Sequence, residues 1–387
     1  MSGTYLDHAA STPMRPEAVA AMEPFLSSCF ANPSGIHGAA RAAKTALEEA
    51  RETVAEALGA QPGEVVFTAG GTEADNLAVE GAARAVRARA GLDGVVTTAF
   101  EHKGVLAAVD RLAAEGFSVH RVGVERAGIV DLDALSAVLD EHTAVVSVML
   151  VNNEVGTVQP LAAVAELVRQ RAPHAVVHTD AVQAVPWLDL APAADADLVA
   201  ISAHKFGGPK GTGALVARDE VPLTPLLEGG GQERGLRAGT VNVAGAVAMA
   251  AALRVTMERR PEDNRRVGAL RDRLLDGLTG AVPDTFVNGD PAAKVAGNCH
   301  VGFRGVEADT LLVALDREGV YAAAGSSCSS GATEPSHVLA AMGLPRDDAL
   351  ASIRLSLGFA STDTDVDRAL EAIPAAVDRL RTHALAR

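Results

Sequence analysis

Five short runs rich in β-branched and apolar residues, each ending in a polar or glycine-rich cluster, constrain this chain more than any other feature. They occupy 65–69 before Gly70-Gly71-Thr72, 95–100 before Glu101-His102, 144–150 before Asn152-Asn153-Glu154, 176–179 before Asp180, and 197–202 before Ala203-His204-Lys205. Continuous apolar runs of this length read as strands covered on both faces. Alanine-rich helical stretches lie between them from about Arg15 to Met257. The pattern predicts an α/β fold with a mainly parallel central sheet flanked by helices. In such sheets ligands collect outside the carboxyl ends of the strands, where all five clusters fall.

The clusters carry a chemistry. Lys205 leaves a buried strand just before the glycine-rich turn 207–211, and a lysine among apolar walls loses solvation of its charged form, so its neutral amine becomes available to condense with an aldehyde. Asp180, also at a strand end, can pair with a protonated ring nitrogen. Such a carboxylate is what the aldehyde cofactor pyridoxal 5′-phosphate (PLP) needs to act as an electron sink. Gly70-Gly71-Thr72 opens a helix, so free backbone N–H groups and the Thr72 hydroxyl can receive a phosphate. His102 can stack on a planar ring and move protons near neutral pH, and Asn153 can donate to a ring oxygen or a carboxylate. One shared site explains the five clusters better than five separate loops.

Taken in order, 5–10 (Tyr-Leu-Asp-His-Ala-Ala), Gly71-Thr72-Glu73, Glu101-His102-Lys103, 151–156, 180–183, 202–205 and 353–358 resemble the cysteine desulfurases of the NifS/IscS type, a class V aminotransferase group. The likeness spans nearly the whole chain and implies the PLP-dependent transferase fold type I. Its large domain would be 16–257, and 1–15 with 258–387 would form a smaller α/β domain carrying a cysteine loop. It implies that Lys205 holds PLP covalently and shuttles the Cα proton, that Asp180 meets the pyridine nitrogen and Gln183 the ring oxygen, and that His102 stacks on the ring. Gly71, Thr72, Ser202 and His204 would hold the phosphate, joined by Thr240 from a second subunit, which makes the expected assembly a homodimer with composite sites. Asn153 and Arg354 would position L-cysteine, with the Arg354 guanidinium forked onto its carboxylate.

Cys328 selects the reaction. It stands among Ser, Gly and Ala in 324–331, too little apolar surface to bury, so an exposed and mobile loop is expected. The resemblance makes Cys328 the nucleophile that takes sulfur as a persulfide. It also supplies the following Glu334-Pro335-Ser336-His337, although serines replace the alanine and threonine often found beside that cysteine. Cys29 and Cys299 read as ordinary small buried residues. The activity implied is conversion of L-cysteine to L-alanine, with the sulfur passed to an acceptor protein for iron–sulfur clusters or other thio-biosynthesis. Selenocysteine or another amino acid as substrate, and a silent scaffold of the same fold, are the alternatives.

Composition excludes several other classes. A net charge of −15 disfavours direct binding to nucleic acid or anionic membrane. Three cysteines without paired spacing give neither a disulfide framework nor a CxxC metal site. The first residues lack a basic and apolar leader, and the apolar run 243–253 is short of the roughly 20 residues a membrane helix needs, so a cytoplasmic enzyme is expected. His174 and His178 fall on a predicted strand without helical metal-ligand geometry, and 208–213 lacks the Gly-Lys-Ser/Thr order of a nucleotide loop. The charged stretch 259–264 around Pro261 reads as a break and hinge, and 229–235 as flexible by its glycines.

Overall fold

A computed structural model describes residues 3–324 and 334–385. Its strands are β1 (Thr4–Tyr5), β2 (Val65–Thr68), β3 (Gly94–Thr98), β4 (Ser118–Val122), β5 (Thr143–Ser147), β6 (Val176–Asp180), β7 (Leu198–Ser202), β8 (Gly213–Ala217), β9 (Thr285–Val287), β10 (Asn298–Phe303), β11 (Val320–Tyr321) and β12 (Ser352–Ser356). The main sheet has the order β2-β8-β7-β6-β5-β3-β4. β8 alone runs antiparallel to its neighbours. The remaining pairs are parallel, so β2, β3, β5, β6 and β7 all end on one side.

Alternation along each strand divides the core. Val66, Val95, Val145, Val176, Leu198 and Leu215 pack under the helix Ala82–Ala90, its preceding turns, and the helix Lys103–Ala114. Val65, Phe67, Val96, Val146, Val177, Val199 and Ile201 face the opposite layer, with the helix Gly38–Ala57. Because both faces are covered, β3, β5, β6, β7 and β8 are buried at every residue. Only the outer strand β4 reads mostly exposed.

A second, antiparallel sheet has the order β12-β10-β9, and β1 pairs in parallel with β11. The N-terminal segment also bridges to β12 through Asp7 and Ser356. Between the sheets runs one helix, Val243–Ala281, 39 residues long and continuous through Pro261. The expected break at 259–264 does not occur. A proline costs this helix one backbone bond, and burial of Leu253 on one side of it and of Val267, Leu270, Leu274 and Leu278 on the other outweighs that loss. The amino-terminal half packs on Pro16–Ser27 and Gly38–Ala57, and the helix also contacts Asp363–Leu385.

The glycine-rich segment after 228 is likewise held, not loose. Edge strand β2 would leave Phe67 N–H and Val65 C=O unpaired, which buried backbone does not tolerate. Glu233 accepts from Phe67 N at 2.8 Å, and Arg51 donates to Val65 O at 2.8 Å while forming a two-pronged pair with Glu233 at 2.7 and 2.8 Å. Glu233 and Arg234 adopt left-handed φ values of 45° and 57° to make this cover. The pair's side chains are 7% and 2% exposed, so removing one partner strands a buried charge. Arg51→Met is expected to destabilise the fold by about 3 kcal/mol, read as a lower urea midpoint at unchanged slope.

Candidate active site

The strand ends meet in a cavity of about 310 Å³. β7 delivers Ser202 and then a single tight turn, Ala203–Lys205. The chain must double back there. A Cβ on Gly208 would stand 2.7 Å from Ala203 Cβ, and one on Gly207, at φ +91°, 2.5 Å from the Arg15 side chain. The Lys205 amine points at the N-terminal segment and donates to the carbonyls of Ala9 and Ala10 at 2.7 and 2.9 Å. Burial, helped by the Arg354 charge and opposed by Asp180 and Asp7, lowers its pKa from 10.5 to about 8.

β6 delivers Asp180, whose Oδ1 accepts from Val182 N at 2.9 Å. Burial raises its pKa, with the His102 and Lys205 charges pulling the other way. β2 delivers the Gly70-Gly71 turn into the helix Gly71–Asn76. A side chain at Gly71 would press to 2.9 Å from Val182 and 3.3 Å from Ser202, so only glycine lets three strand ends close on one another. β3 leads to Glu101 and His102. The His102 Nδ1 accepts from Gly104 N at 3.1 Å and caps the helix Lys103–Ala114, which leaves its Nε2 edge for the cavity. Burial is also the first cause lowering the His102 pKa, while the Asp180 charge opposes it.

β5 leads to 149–154, where Asn152 ties the turn by accepting from Glu154 N and Val155 N at 2.9 and 3.0 Å. Arg354 enters from β12. It donates to Asn153 O at 2.9 Å and Asp7 Oδ1 at 2.8 Å, and its buried Nε has no partner among the described residues. Gln183 Nε2 donates to Ala9 O at 2.8 Å. His204 Nδ1 lies 3.3 Å from Ser11 Oγ, and burial lowers its pKa to about 4, so it is a neutral ring.

Residues 4–369 match the family model for class-V aminotransferases. The chain is 45% identical over 388 residues to an IscS-like cysteine desulfurase of Mycobacterium tuberculosis, covering 99% of this chain and 98% of that one. It is 42% identical to the cysteine desulfurase IscS of Methanosarcina thermophila, covering 97% and 92%. The chain belongs to the class-V aminotransferase family. A solved NifS-like protein superposes with a TM-score of 0.91 at 35% identity, covering 97% of this chain and all of that one. Class-V enzymes of this desulfurase group are PLP-dependent, and the fold expected from the sequence is the fold found.

The class-V cavity fits that cofactor on its own geometry. A poorly solvated lysine, held among the described residues by two carbonyls, faces a buried carboxylate across the pocket. A turn where glycine alone fits opens a helix beside neutral donors, and a guanidinium N–H lies unpaired among the described residues. Of the residues singled out in the sequence, Gly71, Thr72, His102, Asn153, Asp180, Gln183, Ser202, His204, Lys205 and Arg354 all line the cavity. Thr240 does not; it is exposed, three residues beyond Arg237, which pairs with Glu73 at 2.8 Å. Cys328 lies outside the described residues. Cys299 is buried as expected, whereas Cys29 is exposed, a correction that follows from its place just past the helix Pro16–Ser27.

Sequence reading gave no role to Asp75, Lys103, Glu154 and His337, which also line the cavity. Asp75 was findable, since it stands four residues after Gly71 on a helix and so on the same face. Glu154 stood in the polar cluster after 144–150, but its partner was not findable, because Ser336, whose hydroxyl bonds Glu154, lies 182 residues away in sequence. The lowered Lys205 pKa has a direct consequence. Capture of PLP by cofactor-free protein should accelerate about tenfold per pH unit below pH 8 and level off above it. Stopped-flow absorbance checks this, and a rate still climbing at pH 10 would mark an ordinary lysine.

Proposed function

We propose that this chain is a cysteine desulfurase that binds L-cysteine in the cavity, releases L-alanine and carries the sulfur on Cys328 to an acceptor protein. The observation that carries the reading is the meeting of Lys205 and Asp180, from the ends of β7 and β6, with Arg354, from the middle of β12 in the second sheet, around one cavity.

Bound PLP supplies an electron sink for the carbanion at the substrate Cα. The protein's groups do the rest. Arg354 holds the substrate carboxylate through its guanidinium, with Asn153 alongside. Lys205 takes the Cα proton at Nζ and returns it, a task matched by its lowered pKa. Asp180 keeps a negative charge opposite the pyridine nitrogen. His102 covers the ring face, and Gln183 reaches the ring oxygen. The Gly71 N–H, Thr72, Ser202 and His204 take the phosphate. The Cys328 thiolate attacks the substrate sulfur, the Cβ–S bond breaks with its electron pair going to the departing three-carbon product, and protonation of that product gives alanine.

Thr240 is read as completing the phosphate site of a second copy, which makes a homodimer. The chain is read as a large domain, 16–257, and a small one, 1–15 with 258–387, the long helix Val243–Ala281 passing from one to the other. Candidates for the acceptor are an iron–sulfur scaffold or another thiolation protein. Among the described residues no helix is long and apolar enough to cross a membrane.

Two outcomes test this reading. Cys328→Ala should keep the visible absorption of bound PLP and lose both persulfide labelling and alanine release from cysteine with dithiothreitol. Normal labelling in that variant would refute the sulfur-transfer role. Arg354→Lys should raise KM for cysteine at least about tenfold through loss of the guanidinium fork, with a smaller change in kcat, as measured by alanine formation.

A further inference from the structure

A row of polar side chains lies buried directly behind Asp180. Thr97, Ser147 and His178 stand in register across β3, β5 and β6, on the face that otherwise carries Val95, Val145 and Val176. His178 precedes Asp180 by two residues and therefore shares its face. Asp75, from the helix Gly71–Asn76, covers the row. All four are at most 1% exposed. Polar groups this deep are normally paired, yet among the described residues Asp75 Oδ1 and His178 Nε2 have no hydrogen-bond partner, and they face each other at 3.5 Å. The other ring nitrogen, Nδ1, lies 2.9 Å from Ser147 Oγ.

Asp75 and Asp180 each place an oxygen within 4.8 Å of the other's and of a His102 nitrogen. Two buried carboxylates this close do not both ionise. Glu101, His102 and Lys205 are the other charged or titratable groups bearing on them. Asp180 holds the backbone donor Val182 and the nearby cations, so it takes the charge and Asp75 the proton. We infer that His178 is a positioning residue: its Nε2 accepts the Asp75 proton and keeps it from Asp180, so that Asp180 stays charged for the cofactor's pyridine nitrogen. Ser147, accepting from Nδ1–H, fixes the ring in the tautomer that leaves Nε2 free to accept. Burial supports this arrangement, raising Asp75 well above the usual carboxylate range and lowering His178 to about 3, so the pair is neutral throughout the working pH range.

The inference rests on the reading that Asp180 meets the pyridine nitrogen. Without the His178 acceptor the Asp75 proton turns to Asp180, the ring nitrogen loses its counter-charge, and the linkage between Lys205 and the cofactor holds its own proton to higher pH. The test follows the visible absorption of the holoenzyme against pH. His178→Leu should move the midpoint upward by about one unit, tenfold in the proton equilibrium, and speed cofactor loss on dilution. His178→Gln, whose side-chain carbonyl can still accept, should restore both. Ser147→Ala should shift the midpoint in the same direction by less, and it decides the matter where His178→Leu does not fold. In an Asp75→Leu background, where there is no proton to hold, His178→Leu should add no further shift. An unmoved midpoint in His178→Leu and Ser147→Ala, or shifts that simply add in the double variant, would overturn the inference. Asp180→Asn separates the two levels. If it leaves absorption and retention unchanged, the pairing of Asp180 itself fails; if it changes them while His178→Leu does not, only the His178 role fails.

Discussion

Desolvation at one edge of a doubly covered sheet governs the whole site. Burial is the largest single cause of the shifts at Lys205, Asp180, Asp75, Glu101 and His102 alike. Cations there are pushed toward their neutral forms and carboxylates toward theirs. Glu101 shows the same pressure in a purely structural setting. It is pushed up to about 8 while its Oε1 accepts from Thr98 and Met149, so it pins the β3 and β5 ends together without adding a full charge to the pocket. The pocket becomes a place where a cofactor's own charges decide which protein groups ionise.

The N-terminal segment does much of the desolvating. Ala9 O accepts from both Lys205 and Gln183, and Ala9 N donates to Ser356 on β12. A few residues on, Thr12 N bonds His204 O and Arg15 N bonds Gly207 O, holding the lysine turn from outside. Ten or so residues thus bind the cavity floor to the second sheet. Since the carbonyls of Ala9 and Ala10 solvate the Lys205 amine without neutralising it, they orient the side chain and still permit it to be uncharged.

The main sheet was legible because buried parallel strands are written as uninterrupted apolar runs, and their polar endings mark the edge where a site must be. Hence Lys205, Asp180 and His102 could be read singly and placed together. The second sheet was not legible: β9 is three half-buried residues, and β12, although its Ser-Ile-Arg-Leu-Ser alternates as a strand does, is only five residues long and pairs with a strand fifty or more residues away. Composition misled at two points. Pro261 and its charged neighbours suggested a break, but long-range packing along Val243–Ala281 overrides one missing N–H. The glycines after 228 suggested looseness, but Glu233 closes the free edge of β2, a contact 166 residues apart in sequence that local reading cannot see. His178 was hidden differently: it looks like an ordinary strand residue until helix and sheet bring it face to face with Asp75.

Arg354 shows what the second sheet contributes to the chemistry. Its Cα belongs to β12, yet its guanidinium reaches Asn153 of the main sheet's loop and Asp7 of the N-terminal segment. These two contacts fix the plane of the fork before any substrate arrives, so little side-chain entropy remains to be lost on binding a carboxylate. At Lys205, Arg354 lowers the pKa, while Asp180 and, less, Asp7 raise it. On the proposed reading, a substrate carboxylate at Arg354 would compete with Asp7 for the same cation. A second anion beside Arg354 would favour the protonated form of Lys205, while condensation with an aldehyde would require the neutral one; a pKa lowered to about 8 keeps both forms of the one lysine accessible near neutral pH.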